Sequence, residues 1–281
     1  DLNVARQKVE VARAGLISAR RALLPGASGS VSGGTPGTVT IGVDASWEAD
    51  IFGKLRNTKK SAVAAVEESI AYKQAVQSML VATIAGYYYN LLMLDEKLKT
   101  SRHTMDNWEE NIRTMEALKR AGKTTEAAVL QAKANKLKIE ASAYSLEQTI
   151  FEVENQMAAL LGIIPMKISR STLDVQKFPE ELSQGVPVQL LANRPDIRQA
   201  EQALIQRFYL TNAARGAFYP NLTLSGSLGW TNGSGAMVLN PGGLIAGVLG
   251  SLVQPIFSKG ANKARLKAAQ AEQEAALYKF R

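Results

Sequence analysis

The chain has 281 residues, an apolar fraction of 46% and a net charge of +8, and it contains no cysteine. These values allow one or two domains with a sizeable core, and they exclude disulfide bonds and thiolate metal sites. Lysine and arginine are mixed with glutamate along the helical segments, so nucleic acid is not an expected partner. The sequence begins and ends inside helical patterns and has no signal peptide, and we therefore expect a fragment of a longer protein.

One plan occurs twice: a helix, a proline, a strand hairpin, an Ile-Phe-x-Lys motif and a second helix. Both first helices end in Ala-Arg-x-Ala, and the prolines that follow, Pro25 and Pro220, lie 195 residues apart. The motifs that begin at Ile51 and Ile256 lie 205 residues apart, so the second hairpin is ten residues longer. Duplicated units usually pack as equivalent parts of one symmetric object. We predict a first repeat over residues 1–186 and a second over residues 187–281.

Two predicted hairpins, at residues 27–50 and 221–255, alternate apolar residues with small or polar ones. The apolar positions are Val39, Ile41, Val43, Ala45 and Trp47 in the first hairpin, and Leu222, Leu224, Leu228 and Trp230 in the second. The first strand, near Ala27 to Ser32, is poorly defined. Segments of about ten residues with this alternation are typical of β-strands that face lipid on one side and water on the other.

Alternation alone favours a half-buried strand of a soluble sheet, but its context favours a membrane. Trp47, Phe52, Trp230 and Phe257 lie at strand ends, where membrane strands carry an aromatic girdle. No other apolar layer is available to cover the sheet. Two hairpins supply four strands, whereas closed membrane barrels need about eight or more, so an open sheet would leave backbone groups unpaired in lipid. We therefore expect the chain to form an oligomer.

A long helix is predicted over residues 55–120, which contain no proline and one glycine, Gly86. At about 1.5 Å per residue it would be roughly 100 Å long, far longer than a globular helix. Its apolar residues recur in steps of three and four: Val76, Leu80, Ile84, Tyr87, Leu91, Leu94 and Leu98. The chain then turns at Ala121-Gly122-Lys123.

A second stripe follows this turn with a mean spacing of about 3.5 residues, the period of a coiled coil. Its members are Leu130, Ala134, Leu137, Ala141, Tyr144, Gln148, Phe151, Asn155 and Ala158. We predict that this stripe faces a partner helix and that residues 55–161 form a coiled-coil hairpin. A connector at residues 162–186 leads to a helix over residues 195–218, whose start suits Pro195 and Asp196.

Five motifs, in chain order, resemble the outer membrane efflux proteins, the TolC-like channel component of tripartite resistance-nodulation-division pumps. They are Trp-Glu-Ala-Asp-Ile-Phe-Gly-Lys-Leu from Trp47, Arg-Ala-Gly-Lys-Thr-Thr from Arg120 with Val-Leu-Gln-Ala from Val129, Ala-Ala-Leu-Leu-Gly from Ala158, Leu-Leu-Ala-Asn-Arg-Pro-Asp-Ile from Leu190, and Ala-Arg-Gly-Ala-Phe-Tyr-Pro from Ala214. Each motif alone carries little information, but together they cover essentially the whole chain.

The resemblance implies a mainly α-helical fold with membrane β-strands. Four strands from each member of a homotrimer would close a twelve-stranded barrel in the outer membrane of a Gram-negative bacterium, above a long α-helical barrel in the periplasm. The implied function is passive efflux, with a periplasmic adaptor, an inner-membrane transporter and outer-membrane lipid as partners. Many members carry lipid on an N-terminal cysteine, which would lie outside this chain.

The resemblance also implies that the turn after the long helix is a periplasmic tip, which family members use to meet the adaptor. The expected adaptor contacts are Arg120, Gly122, Lys123, Thr124 and Thr125. The second tip, which usually carries much of the gate, lies outside the chain, so no gating residue is predicted. The sequence does not identify the exported substrate or the cognate pump and adaptor.

Two alternatives stay open: a non-conducting coiled-coil scaffold or adaptor, and an outer-membrane duct for type I secretion. A scaffold would bury the apolar face of residues 39–47, whereas a membrane channel exposes it. An enzyme is not expected, because His103 is the only histidine and no cysteine is present. The segment Gly122-Lys123-Thr124 lacks the earlier glycine and the preceding strand of a phosphate-binding loop. We therefore predict no catalytic, cofactor or metal site.

Overall fold

The computed structural model describes residues 2–34, 38–177, 192–231, 243–254 and 259–281. In chain order the elements are α1 (Leu2–Arg21), β1 (Gly26–Gly34), β2 (Thr38–Ala49), α2 (Lys54–Arg120), α3 (Glu126–Leu161), a 3-10 turn (Leu173–Val175), α4 (Pro195–Gly216), β3 (Asn221–Thr231), β4 (Gly243–Val253) and α5 (Ala261–Phe280). Two compact units result, the sheet unit (residues 1–77 and 185–281) and the hairpin unit (residues 78–184). The repeat boundary predicted at residue 186 lies outside the described residues and stays a prediction.

The four strands form one antiparallel sheet in the order β1-β2-β3-β4. Ile41 of β2 lies opposite Val31 of β1 and Trp230 of β3, and Trp230 lies opposite Leu244 of β4. Directly opposed residues share a face of the sheet, so the apolar positions predicted for both hairpins lie on one continuous face. The first strand is longer than the expected Ala27–Ser32 segment, because glycine and serine pair with β2 through their backbone groups.

The segment that follows the first hairpin contacts both α2 and the second repeat within the sheet unit. The Asp50 carboxylate accepts hydrogen bonds from the backbone N–H groups of Leu55 (3.0 Å) and Arg56 (2.8 Å), which are otherwise unpaired at the start of α2. Phe52 stacks on Tyr219 with ring centroids 4.7 Å apart. These contacts fix the position at which the first repeat leaves the sheet and meets the second.

The α4 helix packs closely against its neighbours within the sheet unit. Thr211 is 2% exposed, and its hydroxyl lies 3.1 Å from the carbonyl oxygen of Ala269 in α5. At Gly216 a Cβ atom would lie 3.1 Å from the Cβ atom of Lys54, so a larger residue would require Lys54 to shift by a few tenths of an ångström. The helix ends at Gly216 rather than at residue 218, because the amide of Phe218 bonds three residues back, to Arg215, and tightens the last turn.

In the hairpin unit, the predicted stripe of α2 is confirmed at Leu91 and Leu94, whereas the predicted contact of the α3 stripe with a partner helix stays a prediction. Leu91 and Leu94 form a buried cluster with Val153 and Met157. Most of the stripe predicted on α3 is exposed within the single chain, with Leu130, Leu137, Tyr144 and Phe151 between 56% and 64% accessible, whereas its last member, Ala158, is buried. A neighbouring stripe of α3 with the same period is the one buried within the chain; its buried members are Val129, Ala132, Ala143, Val153 and Met157. No helix among the described residues is long and apolar enough to cross a membrane.

Candidate functional site

The apolar face of the sheet is uncovered. Val43 in the middle of β2 is 54% exposed, Leu228 opposite it in β3 is 49% exposed, and Val248 of β4 is 90% exposed. None of the described residues forms a second layer over this face. Soluble monomers rarely expose a continuous apolar surface of this kind, so the face is suited to lipid or to a partner.

Two tryptophans lie on this apolar face near opposite ends of the strands. Trp47 pairs with Leu224 and Trp230 pairs with Ile41, so six residues of β3 separate the two levels. At about 3.4 Å per residue the levels are roughly 20 Å apart along the strand, close to the height of the apolar band of membrane barrels. The indole Nε1 of Trp47 donates to the carbonyl oxygen of Leu23 at 3.0 Å.

Of the other two aromatic residues predicted for the membrane interface, one lies beyond the end of a strand and one lies outside the described residues. Phe52 lies beyond the end of β2 and is 44% exposed, although one side of its ring is covered by Tyr219. Phe257 falls outside the described residues. The assignment of these four aromatic residues to a membrane interface stays a prediction.

The hairpin tip (residues 120–125) joins α2 to α3 through a glycine-based helix cap. Gly122 has φ of +74°, and its N–H bonds to the Lys119 carbonyl at 2.9 Å, while the Lys123 N–H bonds to the Leu118 carbonyl at 2.9 Å. This is the Schellman pattern, which requires a left-handed residue that glycine supplies without strain. Thr125 then caps α3, its Oγ1 accepting from the N–H of Ala128 at 3.4 Å.

The five predicted adaptor-contact residues are therefore contiguous and lie at one end of the coiled-coil hairpin. Gly122 and Thr125 have structural roles in the turn, and Thr124 is half-buried. Arg120 and Lys123 are exposed, and neither forms an ion pair with any residue in the described part of the chain. The tip thus presents two positive charges that have no salt-bridge partner among the described residues.

Other charges near the tip are neutralised across the two helices. Lys119 pairs with Glu126, Lys133 Nζ lies 2.7 Å from Glu116 Oε1, and Lys136 Nζ lies 3.1 Å from Glu109 Oε2. The hydrogen bond from Lys133 lowers the pKa of the Glu116 side chain, and bonds from Lys136 and Arg113 lower that of Glu109. Glu116 also attracts Arg120 electrostatically, but its salt bridge is to Lys133, and Arg120 and Lys123 have no salt bridge among the described residues.

A buried ion cluster in the hairpin unit was missed by the sequence analysis. Arg170 in the connector donates Nε to Asp95 Oδ2 at 2.5 Å and Nη2 to Asp95 Oδ1 at 2.8 Å, and its Nη1 contacts Glu154. The side chains of Arg170 and Glu154 are 8% and 10% exposed. A single arginine thus joins α2, α3 and the connector, and these contacts, that with Asp95 foremost, raise the pKa of Arg170. We call these residues the Arg170 clamp.

Curated relatives cover the whole chain but are longer than it. The probable outer membrane lipoprotein SilC of Salmonella typhimurium is 29% identical over 100% of this chain and 63% of its own length. The pyoverdine export outer membrane protein OpmQ of Pseudomonas putida is 29% identical over 95% of this chain and 58% of its own. The cation efflux system protein CusC of Escherichia coli K12 is 26% identical over 100% of this chain and 64% of its own length. The chain therefore spans less than two thirds of the length of these relatives.

Solved structures with the same fold are outer-membrane channels. The channel OprN superimposes with a TM-score of 0.91 at 29% identity, over 100% of this chain and 66% of that one. The MtrE channel of Neisseria gonorrhoeae, solved in an open state, gives 0.85 at 28% identity, over 99% and 65%. The family model described as outer membrane efflux protein matches residues 1–163 and 186–281. The chain belongs to the outer membrane efflux protein family and is part of an outer-membrane protein.

Proposed function

We propose that the protein containing this chain is the outer-membrane channel of a tripartite efflux system. It would be a passive duct that carries small toxic molecules out of the cell from the periplasm or from an inner-membrane pump. The observation that carries this proposal is the uncovered apolar face of the sheet, with Trp47 and Trp230 near its two ends. A scaffold protein would bury that face. The duct needs no catalytic group or cofactor, because the pump supplies the driving force.

We propose that three copies of the chain close the duct, the number that the family resemblance implies. Within the sheet, β1 and β4 each pair with one strand, so each has a free edge that would be costly in lipid. The exposed stripe of α3 recurs every seven residues, at Leu130, Leu137, Tyr144 and Phe151, which is the spacing that packs one helix against another. We infer that this stripe faces a neighbouring copy in the wall of a helical barrel, as the sequence analysis expected for a partner helix.

The mass and shape of the full-length protein in detergent test this assembly. Light scattering should give the mass of three copies, and negative-stain images should show a hollow tube. A monomer, or a solid coiled-coil rod, would contradict the duct and favour the scaffold.

The hairpin tip is proposed to bind the periplasmic adaptor through its free charges. A surface that binds these two cations should be acidic. Reversing both charges, with Arg120→Glu and Lys123→Glu, would place acids opposite acids and should weaken adaptor binding roughly tenfold or more. Susceptibility to exported compounds should rise while the yield of trimer is unchanged. Affinity for the isolated adaptor and minimum inhibitory concentrations measure the two effects.

The matched control reverses two exposed lysines of the same unit, Lys97→Glu and Lys138→Glu, which form no ion pair with a described residue. This control changes the net charge by the same amount but leaves the tip intact. If both double variants bind the adaptor equally well, the tip is not the contact surface.

A further inference from the structure

The two strand hairpins are almost free of charge, and the charge they carry is negative. Residues 26–49 and 221–254 contain two ionisable side chains, Asp44 and Glu48, although the whole chain has a net charge of +8. Both acids occupy positions of β2 that alternate with Val43 and Trp47, so they lie on the polar face of the sheet. In the proposed trimeric duct this face lines the water-filled lumen.

The two acids differ in how they are neutralised. Glu48 Oε1 lies 3.1 Å from Lys54 Nζ, so its charge is compensated. Asp44 is exposed, and in the described part of the chain it forms no ion pair; its Oδ2 accepts a hydrogen bond from Ser30 Oγ at 2.9 Å. A serine hydroxyl orients the carboxylate without cancelling its charge.

The surroundings of Asp44 on the polar face are neutral. It lies opposite Ser28 of β1 and Ser227 of β3, and Ser227 in turn lies opposite Gly247 of β4. This level of the sheet therefore presents one carboxylate, two hydroxyls and a glycine from each copy. In a trimer, symmetry would repeat the carboxylate three times around the same level of the lumen.

On the basis of the proposed duct, we propose that the three Asp44 side chains form an acidic ring that makes the outer-membrane barrel favour cationic over anionic solutes. Rings of carboxylates select cations in other pores, and low-dielectric walls strengthen the field of charges that line a cleft. The effect is electrostatic, so it should be strong where the Debye length is about 10 Å, at 0.1 M salt, and weak at 1 M, where it is about 3 Å. Positively charged cargo would pass this level more readily than anions of equal size.

The test is the reversal potential of the full-length channel in planar lipid bilayers under a potassium chloride gradient. The wild type should conduct potassium in preference to chloride. Asp44→Asn should lower the permeability ratio about twofold at 0.1 M salt, and Asp44→Lys should favour chloride. Ser227→Asp, which adds a carboxylate at the same level, should raise the ratio. Ser46→Asn changes volume on the same face without changing charge and should leave the ratio unaltered.

The outcomes separate this inference from the proposed function. Conducting channels whose ratio is unchanged by both Asp44→Asn and Ser227→Asp would overturn the role of Asp44 and leave the duct standing. A wild-type protein that inserts but never conducts would remove the duct and the acidic ring with it. If Asp44→Lys fails to assemble, the permeability ratios of Asp44→Asn and Ser227→Asp still test the role of Asp44.

Discussion

Replacing Arg170 with alanine should free the connector from the helical hairpin at a cost of about 3 to 5 kcal/mol, the range observed when one partner of a buried ion pair is removed. Glu154 is 10% exposed, so without Arg170 its carboxylate would be left almost buried and without its cation. Asp95 is 40% exposed and can regain water, so Glu154 dominates the expected loss. Ile168 packs against the core cluster, and it lies two residues before Arg170, so loss of the Arg170 contacts should also weaken the packing of Ile168.

Hydrogen exchange in the full-length protein measures this loss at the connector amides that are hydrogen-bonded, those of Ser171, which donates to Tyr88 Oη at 3.3 Å, and Gln176, which donates to the Leu173 carbonyl at 3.0 Å. A loss of about 3 kcal/mol corresponds to roughly 100-fold faster exchange, since each 1.4 kcal/mol is a factor of ten. Arg113→Ala is the surface control: its pair with Glu109 leaves the arginine side chain 76% exposed, so its loss should leave exchange at these connector amides unchanged.

A double variant separates the buried charge from the loss of packing. Arg170→Met combined with Glu154→Met removes both charges and keeps apolar volume, so it should be less destabilised than Arg170→Met alone. If the single and double variants exchange equally fast, the clamp acts through packing and the electrostatic explanation is wrong.

Local patterns predicted most of the fold. The alternation in β2 and β3 has a period of two, and strand pairing can satisfy it in one way only, with all apolar residues on one face. The break after Arg120 was also readable, because Gly122 provides the left-handed residue that ends α2. In these cases the residues that determine the structure are close together in the sequence.

Packing between distant segments could not be predicted from local sequence patterns. The α3 helix has two neighbouring stripes with the same period, and the choice between them depends on α2 and the connector, which cover Val153 and Met157. Arg170 and Asp95 are 75 residues apart, and neither belongs to a motif. Their pairing arises because Gly162, with φ of +69°, ends α3 and lets the connector return along the hairpin. A single sequence does not contain this tertiary information.

Placing an arginine at Val43 should prevent the protein from accumulating in the outer membrane. Val43 lies in the middle of β2 on the uncovered apolar face, between Gly29 of β1 and Leu228 of β3. An arginine at the midplane of a membrane barrel costs about 2 to 4 kcal/mol in each copy, and a trimer would bear this cost three times. Such a sum is comparable with the whole stability of a typical domain.

The control is Ser46→Arg, which places the same side chain on the same strand but on the polar face. In a water-filled lumen that arginine stays hydrated, so the variant should reach the outer membrane as a trimer in near-normal amount. Membrane fractionation followed by detection of the trimer compares the two. If both variants accumulate like the wild type, the apolar face does not contact lipid. That result would contradict the proposed channel and favour the scaffold. A loss confined to Val43→Arg, with Ser46→Arg recovered as a trimer in the outer membrane, indicates an apolar environment on that face such as lipid provides, because charge, size and strand are the same in the two proteins.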